Sequence, residues 1–268
     1  MNNNRIYWLD YAKVIGIFLV VYGHGGLCGD LRNYVFSFHM PMFFLISGML
    51  YKPLSLGETI KKNWSGLMIP YILLNLICYV PLFVISLWHG NLTWESVWHN
   101  WGATLLGLGY ECNGFVPIST PCWFIYALFI AKVIMSLCTR GNKASIVLLA
   151  MASLFLSVVL QMLNWDTWIP VDSALLAIPF LCIGFLLKET IVKMVQKAWG
   201  RTDLVMALLF LLWCWLVSIN GKVDMNTCLT GSSILLFYVI ALIASFVFFR
   251  LSYIMYALLK NYRYVTGG

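Results

Sequence analysis

The chain has 268 residues, 62% of them hydrophobic and only 10% charged, with a mean hydropathy of +0.86. A water-soluble domain carries about 25% charged residues and under half apolar ones, so this composition excludes a soluble enzyme and specifies one membrane domain over residues 1–268 with no sizeable soluble module. The net charge of +7 is not a nucleic-acid signature, because the basic residues are placed as a topology signal.

A helix needs about 20 mostly apolar residues to cross a bilayer, and lipid offers backbone groups no other partner. Eight segments qualify, at about 6–27, 34–51, 66–88, 122–138, 144–163, 171–188, 203–220 and 231–250. The expected fold is therefore all-α, a polytopic transmembrane helical bundle. With the N-terminus placed in the cytoplasm, the inner segments collect thirteen of the 17 basic residues, Arg140 among them. The outer segments hold only Arg32 and Lys222, and Lys13 and Lys132 lie within spans. That bias predicts cytoplasmic N- and C-termini. The first segment lacks a small-residue cleavage site before its end and reads as an uncleaved signal anchor in the cell (inner) membrane.

That first segment contains DYAKVIGIFLVVYGHGG, from Asp10 to Gly26. Ionisable side chains cost several kcal/mol in hydrocarbon. On a helix at 100° per residue, with Lys13 at 0°, Asp10 falls near 60° and His24 near 20°. The three share one side, which is expected to line a polar interior. Lys13 and His24 stand about 16 Å apart along the axis, at 1.5 Å per residue. Spacing alone leaves a second reading open: an Asp10–Lys13 interfacial ion pair that snorkels, with His24 at the opposite interface. Gly16, Gly23, Gly25 and Gly26 fit close helix packing.

The second span begins YVFSFHMPMFFLISGMLY. It carries His39 before Pro41, and Ser47-Gly48 at mid-depth. The short connection places His24 and His39 at the same end of adjacent helices, a pairing suited to proton handling. Between 89 and 121 lies a long outer loop without Lys or Arg. In it Trp94, Val97, Trp98, Trp101 and Leu105 recur at helical spacing, which predicts an amphipathic interfacial helix. It is either an aromatic anchor or a cap over a site. Trp123 opens the fourth span, and Lys132 inside that span either snorkels or meets an anionic ligand. Pro179 and Gly184 in IPFLCIGFLLK (Ile178–Lys188) predict a kink beside a cavity.

The eight cysteines form no C-x-x-C pair, so no metal site is expected. Cys78, Cys138, Cys182 and Cys214 fall in apolar runs as small hydrophobes. Cys112 and Cys122 share one loop, where a disulfide is one option.

Taken together these residues resemble the bacterial acyltransferase-type-three family of integral-membrane O-acyltransferases, in its fucose O-acetyltransferase-like branch. The first helix of that family carries an Asp, then an Arg or Lys, then a His, matched here by Asp10, Lys13 and His24. Its second helix carries FHMPxFFxxSG, matched by Phe38, His39, Met40, Pro41, Phe43, Phe44, Ser47 and Gly48. WFIYALF (Trp123 to Phe129) and IPFLCIGFLLK resemble further family segments. Lys13 stands where Arg is commoner, which keeps the charge but loses the planar fork. The family usually has more spans, so the chain is expected to stop short of the last two helices. A copy without them would be inactive or would complete its site with another chain.

The resemblance implies acyl transfer, usually of acetyl, from a cytoplasmic acyl-coenzyme A to a hydroxyl of a cell-envelope sugar, polysaccharide or glycolipid. Acyl-CoA is then a co-substrate and no bound cofactor is expected. The expected partners are membrane lipid, acyl-CoA and the carbohydrate acceptor, with no nucleic acid. Lys13 becomes a counter-charge for the coenzyme phosphates, oriented by Asp10. His24 becomes the general base, with a covalent acyl-His as the second option. His39, Ser47, Gly48, Trp123 and Lys132 would line the substrate chamber. The oxyanion donor that acyl transfer needs has no sequence signature. A transporter or flippase is the competing class. It would show inverted repeats with paired broken helices, whereas the polar residues here cluster in the first two spans.

Overall fold

The computed structural model describes residues 5–25, 31–139, 142–163, 165, 169–197 and 200–266; Gly26 and Arg140 lie outside the described residues. Eleven α-helices follow in order among these: α1 (Tyr7–His24), α2 (Leu31–Phe36), α3 (His39–Met49), α4 (Leu56–Asn63), α5 (Ile69–Trp88), α6 (Trp94–Leu106), α7 (Trp123–Cys138), α8 (Lys143–Met162), α9 (Val171–Val195), α10 (Arg201–Asn220) and α11 (Ile234–Thr266). A π-helical stretch, Trp64–Met68, lies between α4 and α5, and two short strands (Val223–Asp224 and Leu229–Thr230) lie between α10 and α11.

Among the described residues, six helical stretches are long and apolar enough to cross a membrane: Leu56–Trp88, Thr120–Cys138, Lys143–Met162, Val171–Val195, Thr202–Asn220 and Ile234–Lys260. They coincide with the last six expected spans. The first two differ. In α1, Asp10, Lys13 and His24 dilute the apolar run. The expected 34–51 span is two helices, broken at Ser37-Phe38.

That break has local causes. Ser37 turns its hydroxyl back to the Tyr34 carbonyl at 2.7 Å and accepts the Trp213 indole N–H at 3.1 Å. Phe38 leaves the helical region with φ −147°. Pro41 then falls in the first turn of α3, where backbone N–H groups have no intrahelical acceptor and a missing one costs little. The proline therefore sits at the start of a helix.

The chain divides into two compact units. The first comprises Met1–Leu50, Ile183–Asp224 and Thr230–Gly268, that is α1, α2, α3, the C-terminal part of α9, α10 and α11. Its core is aromatic. Trp8 meets Phe249 at 5.4 Å, Phe38 stacks on Phe248 at 4.3 Å, and Trp213 stands edge-on to both Phe38 and Phe248. Small residues let the helices approach: a Cβ on Gly16 would press on the Phe43 ring at 2.7 Å, as expected for a packing glycine.

Within this unit α9 passes Gly184 without interruption. Gly184 serves contact, where the sequence had suggested a cavity: a Cβ there would overlap the Leu45 carbonyl of α3. Backbone cannot yield as a side chain does. Gly184→Ala is therefore expected to destabilise the fold by about 1–3 kcal/mol, the usual cost of overpacking. A fall in the midpoint of thermal unfolding in detergent would register it; an unchanged midpoint would contradict the contact.

The second unit comprises Tyr51–Cys182 and Met225–Leu229. Ser55 and Glu58 form a capping box that starts α4, and Thr93 with Ser96 starts α6 in the same way. The expected helix in the long loop is thus present as α6. It leaves Trp94 89%, Trp98 65% and Leu105 60% exposed, while its other side receives the Tyr71 hydroxyl at the Thr104 carbonyl, 2.8 Å away. Met68, Tyr71 and Cys122 form a core cluster with Ile125, Tyr126 and Phe129 around it. Met225–Leu229 is tied in by Gln161, whose amide donates to the Cys228 carbonyl at 2.9 Å, and by Ser173, whose hydroxyl donates to the Asn226 carbonyl at 3.1 Å. Cys112 and Cys122 are both free thiols. Cys122 instead donates to the Ser119 hydroxyl at 3.2 Å.

Candidate active site

Helix α1 supplies the polar stripe. Its buried side consists of Trp8, Leu9, Ala12, Gly16 and Gly23, while Val14, Ile17, Phe18 and Val21 are the most exposed. At 100° per residue these groups centre near 280° and 90° on the wheel that puts Lys13 at about 0°. Asp10, Lys13 and His24 therefore occupy one flank between the buried and exposed sides.

The inner end of the stripe is a charge chain. Asp10 accepts from Arg5 at one carboxylate oxygen, with Nε at 3.0 Å and Nη2 at 2.8 Å. Lys13 Nζ donates to the other oxygen at 3.3 Å. The carboxylate thus fixes the ammonium on the α1 surface. Asp10 and Lys13 each keep 38% of their side-chain exposure, so the pair is reached from outside.

At the other end of α1 the two histidines come together around Phe36. His24 lies 5.6 Å from the Phe36 ring, and His39 lies 5.1 Å from the same ring on α3. His39 is buried. Its Nδ1 sits 2.7 Å from the Val35 carbonyl. A continuous helix would fill that carbonyl with the backbone N–H of residue 39; the break after α2 hands it to the imidazole. A carbonyl only accepts, so Nδ1 carries the proton, and neutral His39 presents Nε2 as a lone pair.

Two further groups join this cluster. The Arg32 guanidinium lies over Phe36, 4.6 Å from the ring centroid, and 3.9 Å from Asp224. Arg32 and Asp224 are the charged neighbours that act on His24. Arg32 counts only as an outer-loop charge in the sequence. Its one local signal is spacing: four residues before Phe36, it shares a helix side with that ring.

Ser47 and Gly48 lie farther along α3, about 12 Å from His39 for an eight-residue rise. Gly48 is buried and Ser47 partly so. Trp123 and Lys132 belong to the second unit. Trp123 is buried at 3% exposure, a core side chain at the start of α7. Lys132 is partly buried, with Lys62 as its charged neighbour.

A family model described as an acyltransferase domain matches residues 6–263. The chain belongs to this acyltransferase family. Among curated proteins, nodulation protein NolL of Mesorhizobium japonicum is 27% identical over 212 residues, which make up 70% of this chain and 49% of the relative. The chain thus spans about half the length of the curated relative it matches. No solved structure matches. With six helices among the described residues fit to cross a membrane, the protein is a multi-pass membrane member of that family. The cluster at His24 combines an imidazole, a second imidazole of fixed tautomer and a guanidinium, groups able to activate a hydroxyl and to stabilise negative charge.

Proposed function

We propose that this acyltransferase moves an acyl group, acetyl in the simplest case, from acyl-coenzyme A to a hydroxyl of a cell-envelope sugar or polysaccharide. The observation that carries the reading is the pairing of His24 and His39 about Phe36 beside Arg32, with the Asp10–Lys13 pair about 16 Å away on the same flank of α1. That separation suits a donor whose phosphates stay at a cytoplasmic cation while its thioester reaches the imidazoles. The bias of basic residues supports the same orientation, with the N-terminus in the cytoplasm of a cell whose inner membrane holds the chain.

His24 takes the proton of the acceptor hydroxyl as the hydroxyl oxygen bonds to the thioester carbonyl carbon. Arg32 stabilises the negative charge that gathers on the carbonyl oxygen. Collapse breaks the carbon–sulfur bond, and the coenzyme thiolate leaves with the proton held by His24. His39 Nε2 accepts a hydrogen bond from a neighbouring hydroxyl of the acceptor sugar and so orients the reacting one. Ser47 and Gly48 would line the chamber within the first unit.

Membranes containing the protein, supplied with coenzyme A carrying a radiolabelled acetyl group and with cell-envelope carbohydrate, are expected to move label into the carbohydrate fraction. Label that stays on the donor with every carbohydrate class offered would overturn the reading in favour of a protein that moves its substrate unmodified.

A further inference from the structure

The first unit holds a cleft of about 580 Å³ that the site above does not use. It lies where the N-terminal end of α1, the C-terminal turns of α9 and α11 meet. Arg5, Tyr7, Trp8, Lys188, Lys193 and Tyr256 line it. Three of these are cations. Glu189 also reaches the cleft, so the lining is cationic overall. Among the described residues Lys188 and Lys193 form no ion pair, and both are exposed. Two unneutralised ammonium groups facing one hollow repel each other unless an anion enters.

The rest of the wall is aromatic. Tyr7 and Tyr256 stack, with centroids 6.0 Å apart and planes within 7°. The Arg5 guanidinium lies 5.5 Å from the Tyr7 centroid. Trp8 is 1% exposed, and its indole N–H is buried with no hydrogen-bond partner among the described residues. Buried indole N–H groups normally find an acceptor. The cations and the stacked rings that line the cleft fit a ligand carrying both anionic groups and a flat ring.

We propose that this cleft seats the nucleotide end of the acyl-coenzyme A donor. The inference rests on the donor named under the proposed function. Its ribose 3′-phosphate lies between Lys188, Lys193 and Arg5, its adenine packs on the Tyr7–Tyr256 shelf, and its pyrophosphate reaches Lys13. Arg5 is the link to the chemistry: it lines the cleft and also donates to Asp10, which holds Lys13. The charge chain Arg5–Asp10–Lys13 therefore leads from the cleft onto the flank of α1 that ends at His24. An anionic phospholipid headgroup shares the phosphate chemistry but has no aromatic base for the tyrosine shelf.

The test uses the full chain purified in detergent. Binding of coenzyme A and of adenosine 3′,5′-bisphosphate, which lacks the pantetheine arm, is measured by calorimetry. Both are expected to bind and to compete, and Lys188→Ala/Lys193→Ala is expected to weaken each at least tenfold. Lys188→Arg/Lys193→Arg keeps binding within a few fold and controls for folding, and Lys222→Ala, outside the cleft, controls for lost charge. Coenzyme A that binds wild type and the alanine pair equally would overturn the cleft while leaving the donor reading intact. Coenzyme A that fails to bind wild type at all sinks the donor reading, and the cleft assignment with it. Loss of binding to phosphatidylglycerol vesicles alone, with nucleotide binding unchanged, would make the cleft a lipid headgroup site.

Discussion

Replacing His24 by alanine is expected to lower acyl transfer by about 10²–10⁴-fold, the range a positioned general base contributes, while the protein still inserts and folds. The folding half follows from position. His24 is the last residue of α1 and is exposed, so truncation opens no core cavity. His39 is the instructive comparison, because it is buried and bonds the Val35 carbonyl. His39→Asn keeps a donor at the place of Nδ1 and removes the Nε2 lone pair. It is expected to fold and to raise the acceptor KM more than it lowers kcat. His39→Ala empties a buried site and leaves the Val35 carbonyl only the Phe38 N–H at 3.3 Å, and is expected to lose stability as well as rate. Arg32→Ala should lower kcat with little change in KM, because a charge on the developing oxyanion acts only in the transition state. Initial rates of label transfer, with folding checked by thermal unfolding in detergent, separate these cases. Full transfer by His24→Ala with loss in His39→Asn would reverse the two assignments.

Much of this site is legible in the sequence because one helix carries it. The wheel position of Asp10, Lys13 and His24 follows from helical periodicity alone, and the Asp10–Lys13 pair follows from i,i+3 spacing. The structure adds what periodicity does not contain. A two-residue break at Ser37-Phe38 turns His39 toward Val35 and stations it across Phe36 from His24. Beside the local bond from Ser37 to the Tyr34 carbonyl, a tertiary hydrogen bond from Trp213, 176 residues away, holds it. For the same reason the meeting of Arg32 with Asp224 carries no local mark, because it is set by distant chain segments. Gly184 shows the opposite error. A mid-helix glycine reads as a bend, and only the Leu45 carbonyl of α3 reveals that it is there for contact. The expected enclosure of the polar stripe also needs tertiary information, since a wheel gives direction and not what stands in that direction.

The largest stability loss is expected at Arg250. It lies inside the most apolar helix, α11, and reads in sequence as an inner-loop topology charge. It is 1% exposed. Its Nε donates to Asp203 at 2.8 Å, and its Nη1 donates to the carbonyls of Val195 at 2.6 Å and Lys197 at 2.8 Å. One guanidinium thus joins three helices: it sits on α11, pairs with the first turn of α10, and caps the C-terminal end of α9, where carbonyls have no intrahelical donor. A cation at a helix C-terminus also meets the negative end of its dipole. Arg250→Met keeps the volume and strands all of these acceptors; the buried Val195 carbonyl alone costs about 1–3 kcal/mol. The expected result is a lower yield of monodisperse protein and a lower unfolding midpoint. Arg250→Lys is expected to recover little, because one ammonium cannot reach three acceptors in the planar spread of a guanidinium. Arg250→Met with Asp203→Leu also removes the bond that Asp203 accepts from the Gly200 N–H at the start of α10, and is expected to recover none of the loss while α9 stays uncapped. The last turns of α9 carry Lys193 of the basic cleft, so Arg250→Met should also weaken coenzyme A binding where the protein still folds. An unfolding midpoint in Arg250→Met equal to that of wild type would show that water satisfies the α9 carbonyls and that the guanidinium is not what holds the three helices together.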